Sequence, residues 1–259
     1  MPRRGTWAAE LRTGTPSWLH GPWPDEAHRS RRAVAICRPT PPAALVIGSS
    51  QDEPALAPGR ASAGIEVVRR SSGGGAVLVA PGSQIWIDVW MPRHDPLWED
   101  DVVRSSWWLG RAWRDSLLAE GFDDLGVHEG RLEATSLSDL VCFAAMGPGE
   151  VSWRGRKLVG ISQRRSRQGA RFHTVCPLHP VGPPLLSTVE MEDASRDRAQ
   201  AALSEVATCL LEAAAGSAVT TSGLVERVER SVLRCFEDAA QTSHGSKCQA
   251  ARASSFSGR

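Results

Sequence analysis

Between residues 33 and 176 the apolar positions fall in short runs separated by glycine, proline and serine, the rhythm of strands and turns. Residues 33–37 and 44–48 are continuous apolar runs on either side of a proline-rich turn at 38–42, with the length and composition of buried strands. Residues 65–69 and 76–80 flank a run of three glycines, and residues 85–90 alternate with period two. Asp95-Pro96 is a helix-start signal; Val103, Trp107, Gly110, Trp113 and Leu117 then mark one face of a helix ending near Gly121. The polar face of that helix carries Arg104, Arg111, Arg114 and Asp115. A polar stretch leads into residues 140–144. Residues 151–153 and 156–163, joined at Arg154-Gly155, read as a hairpin, and 170–176 as a further strand.

After residue 189 the period changes. Ala199, Leu203, Val206, Leu210 and Ala213 form one helical stripe, closed by Gly216. Leu224, Val228, Val232, Cys235 and Ala239 form a second. Residues 1–32, rich in Arg, Pro and Trp, show no period and read as irregular or partly helical, whereas the Ser-, Gly- and Ala-rich end reads as a disordered tail. Strands first and helices afterwards predict an α+β fold rather than a doubly wound sheet. The expected division is a unit at 1–188 including the irregular N-terminal segment, a helical segment at 189–240, and a tail at 241–259.

Composition narrows the function only by exclusion. A formal net charge of +1 over 259 residues gives no global attraction to nucleic acid or to an anionic membrane. No apolar run approaches the roughly 18 residues a membrane span requires. The Met1-Pro2-Arg3-Arg4 start is followed by Trp7, Glu10 and Arg12 rather than an apolar core, so a cytoplasmic location is expected. The six cysteines form no Cys-x-x-Cys pair, and no disulfide framework is expected. Cys209 and Cys235 fall on apolar helix faces. His173, Cys176 and His179 resemble ligands, but on a strand 173 and 179 share one face while 176 points to the other; no metal site is expected.

Two local features carry chemistry. Of 30 basic residues only Lys157 and Lys247 are lysines, and Lys157 sits inside the strand-like segment GRKLVGISQ at 155–163. An ammonium is a compact point charge where a guanidinium is a planar fork, so a lone lysine amid arginines points to a site that needs the former. The other feature is Arg70-Ser71-Ser72-Gly73-Gly74-Gly75 between two strands. Its bare backbone can approach a ligand closely and offer N–H groups to anionic oxygens. It lacks the trailing Gly-Lys-Ser/Thr of a P-loop, and a strand rather than a helix follows it.

Together these segments resemble the lipoate–protein ligase A family, within the biotin/lipoate ligase and octanoyltransferase superfamily. RRSSGGGAV at 69–77 is similar to that family's Arg-x-Ser-Gly-Gly-Gly-Ala-Val loop. GRKLVGISQRR at 155–165 is similar to its Gly-Arg-Lys-x-x-Gly-x-x-Gln segment, and Val46-Ile47-Gly48 with Gln51 to its first strand. The likeness covers roughly residues 30–180. It implies a mixed, largely antiparallel sheet flanked by helices, and a lipoyl-adenylate made from lipoate and ATP with Mg2+, then attacked by an acceptor lysine. It implies that Lys157 holds the carboxylate and α-phosphate oxygens, and that Gly73, Gly74, Gly75 and Ala76 meet the acyl-adenylate through their backbone. Arg70 and Ser72 would contact phosphate or shape the loop. Gly160 would leave room beside the ligand, and Val77, Val79 and tryptophans would wall an acyl tunnel. Acceptors would be lipoyl domains of 2-oxoacid dehydrogenase complexes or the glycine-cleavage H protein.

The chain departs from the ligase pattern in four places. An Arg-Asn-Asp segment is replaced by Leu137-Ser138-Asp139, leaving only Asp139 for that loop's contacts. The histidine expected after Gly-Gly-Gly-Ala-Val is replaced by Leu78-Val79-Ala80. The C-terminal accessory region is short. Cys142, in Asp139-Leu140-Val141-Cys142-Phe143, resembles the nucleophile of octanoyltransferases of the ligase-like type. These take octanoate from acyl carrier protein through an acyl-thioester and need no ATP. Against this stands the buried core cysteine, the commonest fate of a free thiol. Three functions follow as expectations: ATP-dependent lipoate ligase, Cys142-dependent octanoyl or lipoyl transferase, and a non-catalytic subunit that binds acyl groups or lipoyl domains.

Overall fold

In the computed structural model the described residues are 7–59, 64–217 and 219–255; the expected N-terminal start at 1–4, positions 60–63 of the loop expected at 54–64, and the last four tail residues lie outside them. The chain begins with β1 (Ala8–Gly14) and α1 (Pro16–His20), followed by β2 (Ala33–Pro39), β3 (Ala44–Ile47), β4 (Glu66–Arg69), β5 (Val77–Val79) and β6 (Gln84–Pro92). Helix α2 (Trp107–Ala119) separates these from β7 (Leu125–Val127), β8 (Val151–Trp153), β9 (Arg156–Arg165) and β10 (Gly169–Pro177). The end is helical: α3 (Gly182–Leu186), α4 (Asp193–Val206), α5 (Leu210–Gly216) and α6 (Leu224–Ser255).

Seven strands form the main sheet in the order β1-β2-β6-β10-β9-β8-β7, antiparallel except for β1 with β2. A second sheet, β4-β3-β5, packs over one face. This is the α+β architecture the sequence predicts. Every residue of β6 is buried, because it is a central strand covered on both sides. On one side lie α2 and α6, which set Leu109, Trp113 and Leu117 against Val228, Val232 and Phe236 beside Ile85, Ile87 and Val89. Burying each such side chain contributes about 1.5–3 kcal/mol. On the other side lie α1 and the small sheet, where Leu19, Val46 and Val79 meet Trp86 and Trp90. The site forms on this second face.

The structure differs from the sequence-based expectations where burial or capping hides the period. The segment expected to be irregular contains β1, an edge strand exposed at most positions, so no apolar alternation marks it. Asp95 does not open a helix: its carboxylate pairs with buried Arg32 at 2.9 and 2.7 Å, and α2 begins at Trp107 after a 3-10 turn at Arg104–Ser106. Residues 142–144 form a 3-10 turn. The stripe from 199 to 213 is two helices, because residues 207–209 extend alongside β9 and the Thr208 amide donates to the Lys157 carbonyl at 2.9 Å. Helix α6 extends to Ser255, into the stretch expected to be a tail.

Candidate active site

A narrow slot lies between the two sheets. Its floor is set by strand register: Gly160 of β9 pairs with Val175 of β10, which pairs with Trp86 of β6, so the three lie in one row. Val46, Val77 and Val79 form the facing wall, and Cys142, Phe143 and Arg70 also line the slot. Val77 and Val79 line the slot, and among the described residues Trp86 is the one tryptophan that does so. A Cβ at Gly160 would stand 3.2 Å from the Phe143 ring and 3.5 Å from the Lys157 stem, so glycine keeps this end open.

The triple-glycine loop is held from three directions. Arg70, 5% exposed, turns inward and donates to the carbonyls of Gly73 and Gly75 at 2.8 and 2.9 Å. Ser72 shares a hydrogen bond with Ser162 of β9 at 3.0 Å. Ala76 runs beside residues 140–142, its amide donating to Leu140 and its carbonyl accepting from Cys142. Gln51 bridges the two segments, accepting from the Gly48 amide and donating to the Asp139 carbonyl. The Asp139 side chain is exposed and makes no hydrogen bond among the described residues. Gly74 has φ of 98°, a conformation that favours glycine. A Cβ at Gly48 would lie 1.9 Å from the Gly74 carbonyl oxygen. Gly48→Ala is therefore expected to displace the loop and to lower both urea stability, by about 2 kcal/mol or more, and acyl-group binding. An unchanged melting midpoint with full activity would contradict this packing.

Lys157, 2% exposed, uses all three ammonium donors: Glu150 Oε2 at 2.6 Å, the Ala145 carbonyl at 2.9 Å and the Cys142 carbonyl at 3.0 Å. Its charge also lies 4.9 Å from the Phe143 ring centroid. Glu150 is itself buried and accepts from the amides of Gly147 (2.6 Å) and Ile161 (2.9 Å). The pair thus clamps the turn that carries Cys142 onto β9. Cys142 is half-buried and lines the slot; its Sγ is 3.7 Å from where a Cβ on Gly74 would stand. The structure therefore brings together Lys157, Cys142, Arg70, Ser72, Ala76, Gly160 and residues 73–75. Glu150 was not anticipated from the sequence. Its signal was the lone buried lysine, which requires a counter-charge nearby.

A second buried network was also not anticipated. Asp88 of β6 accepts from Arg171 (3.1 and 2.5 Å), His173 Nδ1 (2.6 Å) and Trp86 Nε1 (2.7 Å). Burial by itself would raise the Asp88 carboxyl, but His173 and Arg171 outweigh it and hold it far below the usual carboxylate range. Burial lowers His20, and His173, opposed in part by Asp88, is lowered as well. Both imidazoles therefore bind a proton less readily in the fold than in the unfolded chain, so below about pH 6.5 unfolding takes up protons on them. Folding stability is expected to fall as pH drops from 7.5 to 5, with the Asp88 contribution lost in turn below about pH 4. A urea midpoint that is flat between pH 7.5 and 5 would contradict the lowered proton affinity of these buried histidines.

A mixed sheet with an apolar slot, a glycine loop and a buried lysine that anchors the turn carrying Cys142 defines an enzyme of the lipoate ligase and transferase class. The chain belongs to the lipoyl protein ligase A/B catalytic domain family, whose sequence pattern matches residues 27–233. Among solved structures it is similar to a bipartite lipoate protein ligase of Thermoplasma acidophilum described with its E2 lipoyl domain. The identity is 16%, with 91% of this chain and 84% of that one covered and a TM-score of 0.62. A lipoate-protein ligase from the same organism with bound lipoic acid shows 15% identity, 91% and 86% coverage and a TM-score of 0.59. A lipoate-protein ligase A bound with ATP shows 16% identity, the same coverages and a TM-score of 0.58. No curated protein matches the sequence. Among the described residues no helix is long and apolar enough to cross a membrane, and no three His, Cys, Asp or Glu side chains cluster as metal ligands.

Proposed function

We propose that this enzyme transfers a medium-chain acyl group to a lysine of a lipoyl domain through a thioester on Cys142. The observation that carries this is the placement of Cys142 in the slot beside the glycine loop, with its turn clamped by Lys157 and Glu150. The Cys142 thiol attacks the thioester carbonyl of an acyl carrier protein; the carbon–sulfur bond to the carrier breaks, and the proton leaves with the carrier thiol. The acceptor amine then attacks the acyl-cysteine, forming the amide and restoring the thiol. Among the described residues, no hydrogen bond engages the amides of Gly73, Gly74 and Gly75. Their N–H groups would donate to the developing oxyanion. The row from Gly160 to Trp86 crosses two strand spacings, about 9.5 Å, which an extended chain of roughly eight carbons spans.

An acyl-adenylate route is the second reading, favoured by the same open glycine amides. Its fit is less complete, because the cations around the loop are already engaged. Arg69 donates to the carbonyls of Gly48 and Gln51, Arg70 to those of Gly73 and Gly75, and Lys157 to Glu150 and two carbonyls. ATP, when bound, would supply activation of a free carboxylate. Lys157 would then have to exchange one carbonyl partner for the ligand. The test supplies a lipoyl domain with octanoyl-acyl carrier protein in one arm, and with lipoate, ATP and Mg2+ in the other, and weighs the acceptor. Acylation in the first arm is expected; acylation only in the second would replace the thioester route, and none in either would reject both.

A further inference from the structure

Strand β1 forms one edge of the main sheet and pairs with β2 along its whole length without a bulge. Two hydrogen bonds fix which way its backbone groups point. The Ala8 amide donates to the Arg32 carbonyl, and the Gly14 carbonyl accepts from the Thr40 amide. In a parallel ladder alternate residues turn both groups toward the neighbouring strand, so Ala8, Glu10, Arg12 and Gly14 face β2. Ala9, Leu11 and Thr13 turn theirs outward, and among the described residues nothing hydrogen-bonds to them there. Sheets commonly blunt such an edge with brevity, proline, lysine or a bulge. The opposite edge, β7, is only three residues long, whereas β1 has none of these devices. Leu11 stands on it 66% exposed.

We propose that β1 is the surface through which two copies of this chain pair, edge to edge and antiparallel, about a two-fold axis at Leu11. In that register Ala9 lies opposite Thr13 of the second copy and Leu11 opposite its own counterpart, so every outward N–H and C=O finds a partner. Between these hydrogen-bonded positions Glu10 faces Arg12 of the second copy, and the Glu10 side chain is half exposed. Sliding the pairing by one step either way leaves outward groups unpaired. It also sets Glu10 against Glu10, or Arg12 against Arg12, and like charges directly opposite are destabilising. Hydrogen bonding and charge therefore select the same register, and an edge complementary to itself fits a second copy of this chain. Leu11, at the axis, loses its exposure against its counterpart. The proposal rests on the sheet alone and is independent of the acyl-transfer reading.

The test is sedimentation equilibrium of the full chain over a range of concentrations, where a reversible dimer is expected. Leu11→Pro removes an outward N–H that the β1–β2 ladder does not use, and Leu11→Lys sets two ammonium groups face to face at the axis. Each is expected to raise the dimer dissociation constant about tenfold or more while the far-UV circular dichroism is unchanged. A third variant keeps the proposal testable if either of these misfolds. Leu11→Cys puts two thiols across the axis at a hydrogen-bonded pair, where Cα atoms stand about 5.5 Å apart, within reach of a disulfide. Diamide is expected to give a reducible covalent dimer with Leu11→Cys, and none with Ala9→Cys or the unaltered protein. A monomer at every concentration would overturn the proposal, as would a dimer that ignores both Leu11→Pro and Leu11→Lys and does not cross-link through Leu11→Cys. A monomer that binds a lipoyl domain and loses it on Leu11→Lys would overturn self-pairing and give the edge to the acceptor.

Discussion

Replacing Cys142 with alanine is expected to reduce acyl transfer to a lipoyl domain by about 10³-fold or more while leaving the fold intact. The thiol forms and breaks the bonds of the proposed reaction, and removing a nucleophile removes the pathway rather than weakening it. Stability should change little. Cys142 is half-buried, its backbone amide makes the bond to Ala76, and its carbonyl accepts from Lys157. Alanine keeps both groups. Steady-state transfer from octanoyl-acyl carrier protein, measured beside the thermal midpoint, checks both halves. Retained transfer with an unchanged midpoint would remove Cys142 as the nucleophile and leave direct attack of the acceptor lysine on the carrier thioester.

Lys157→Met is expected to act on stability and on activity together. It leaves Glu150 buried without its counter-charge, a change that typically costs about 3–5 kcal/mol when one partner of a buried pair is removed. It also releases the Cys142 and Ala145 carbonyls, so the nucleophile's turn loses its anchor to β9. Transfer is expected to fall by about 10²-fold or more. Lys157→Arg should not rescue it, because a planar fork cannot point three donors at these three acceptors. The double variant Lys157→Met with Glu150→Gln separates the effects: stability should recover in part, since no lone charge remains although one of the Gly147 and Ile161 amides loses its acceptor, while transfer stays low. Recovery of both in the double variant would reduce Lys157 to a structural role.

The sequence displays the strands with clear punctuation, and they stand where expected: β2, β3, β4, β5, β6, β9 and β10 all fall on apolar runs bounded by glycine, proline or serine. It displays β1 poorly, because an exposed edge strand needs no apolar alternation, and β7 hardly at all in three residues. The break between α4 and α5 left the helical stripe nearly undisturbed; only the pairing of 207–209 with β9 creates it. Within the site, the glycine loop and Lys157 stood out by residue type alone. Glu150 and Asp88 did not, because a buried carboxylate looks like any surface one until its partners are assembled in space. Asp88 offered one clue: a charge inside the otherwise apolar run of β6 requires a cation, and Arg171 faces it from β10.

The most direct measurement is the intact mass of the protein itself after brief mixing with octanoyl-acyl carrier protein in the absence of any acceptor. The account predicts that the unaltered protein gains the mass of one octanoyl group, that Cys142→Ala gains none, and that adding a lipoyl domain moves the group onto the acceptor. Acceptor acylation with no acyl-protein formed, or equal labelling of Cys142→Ala, would contradict it.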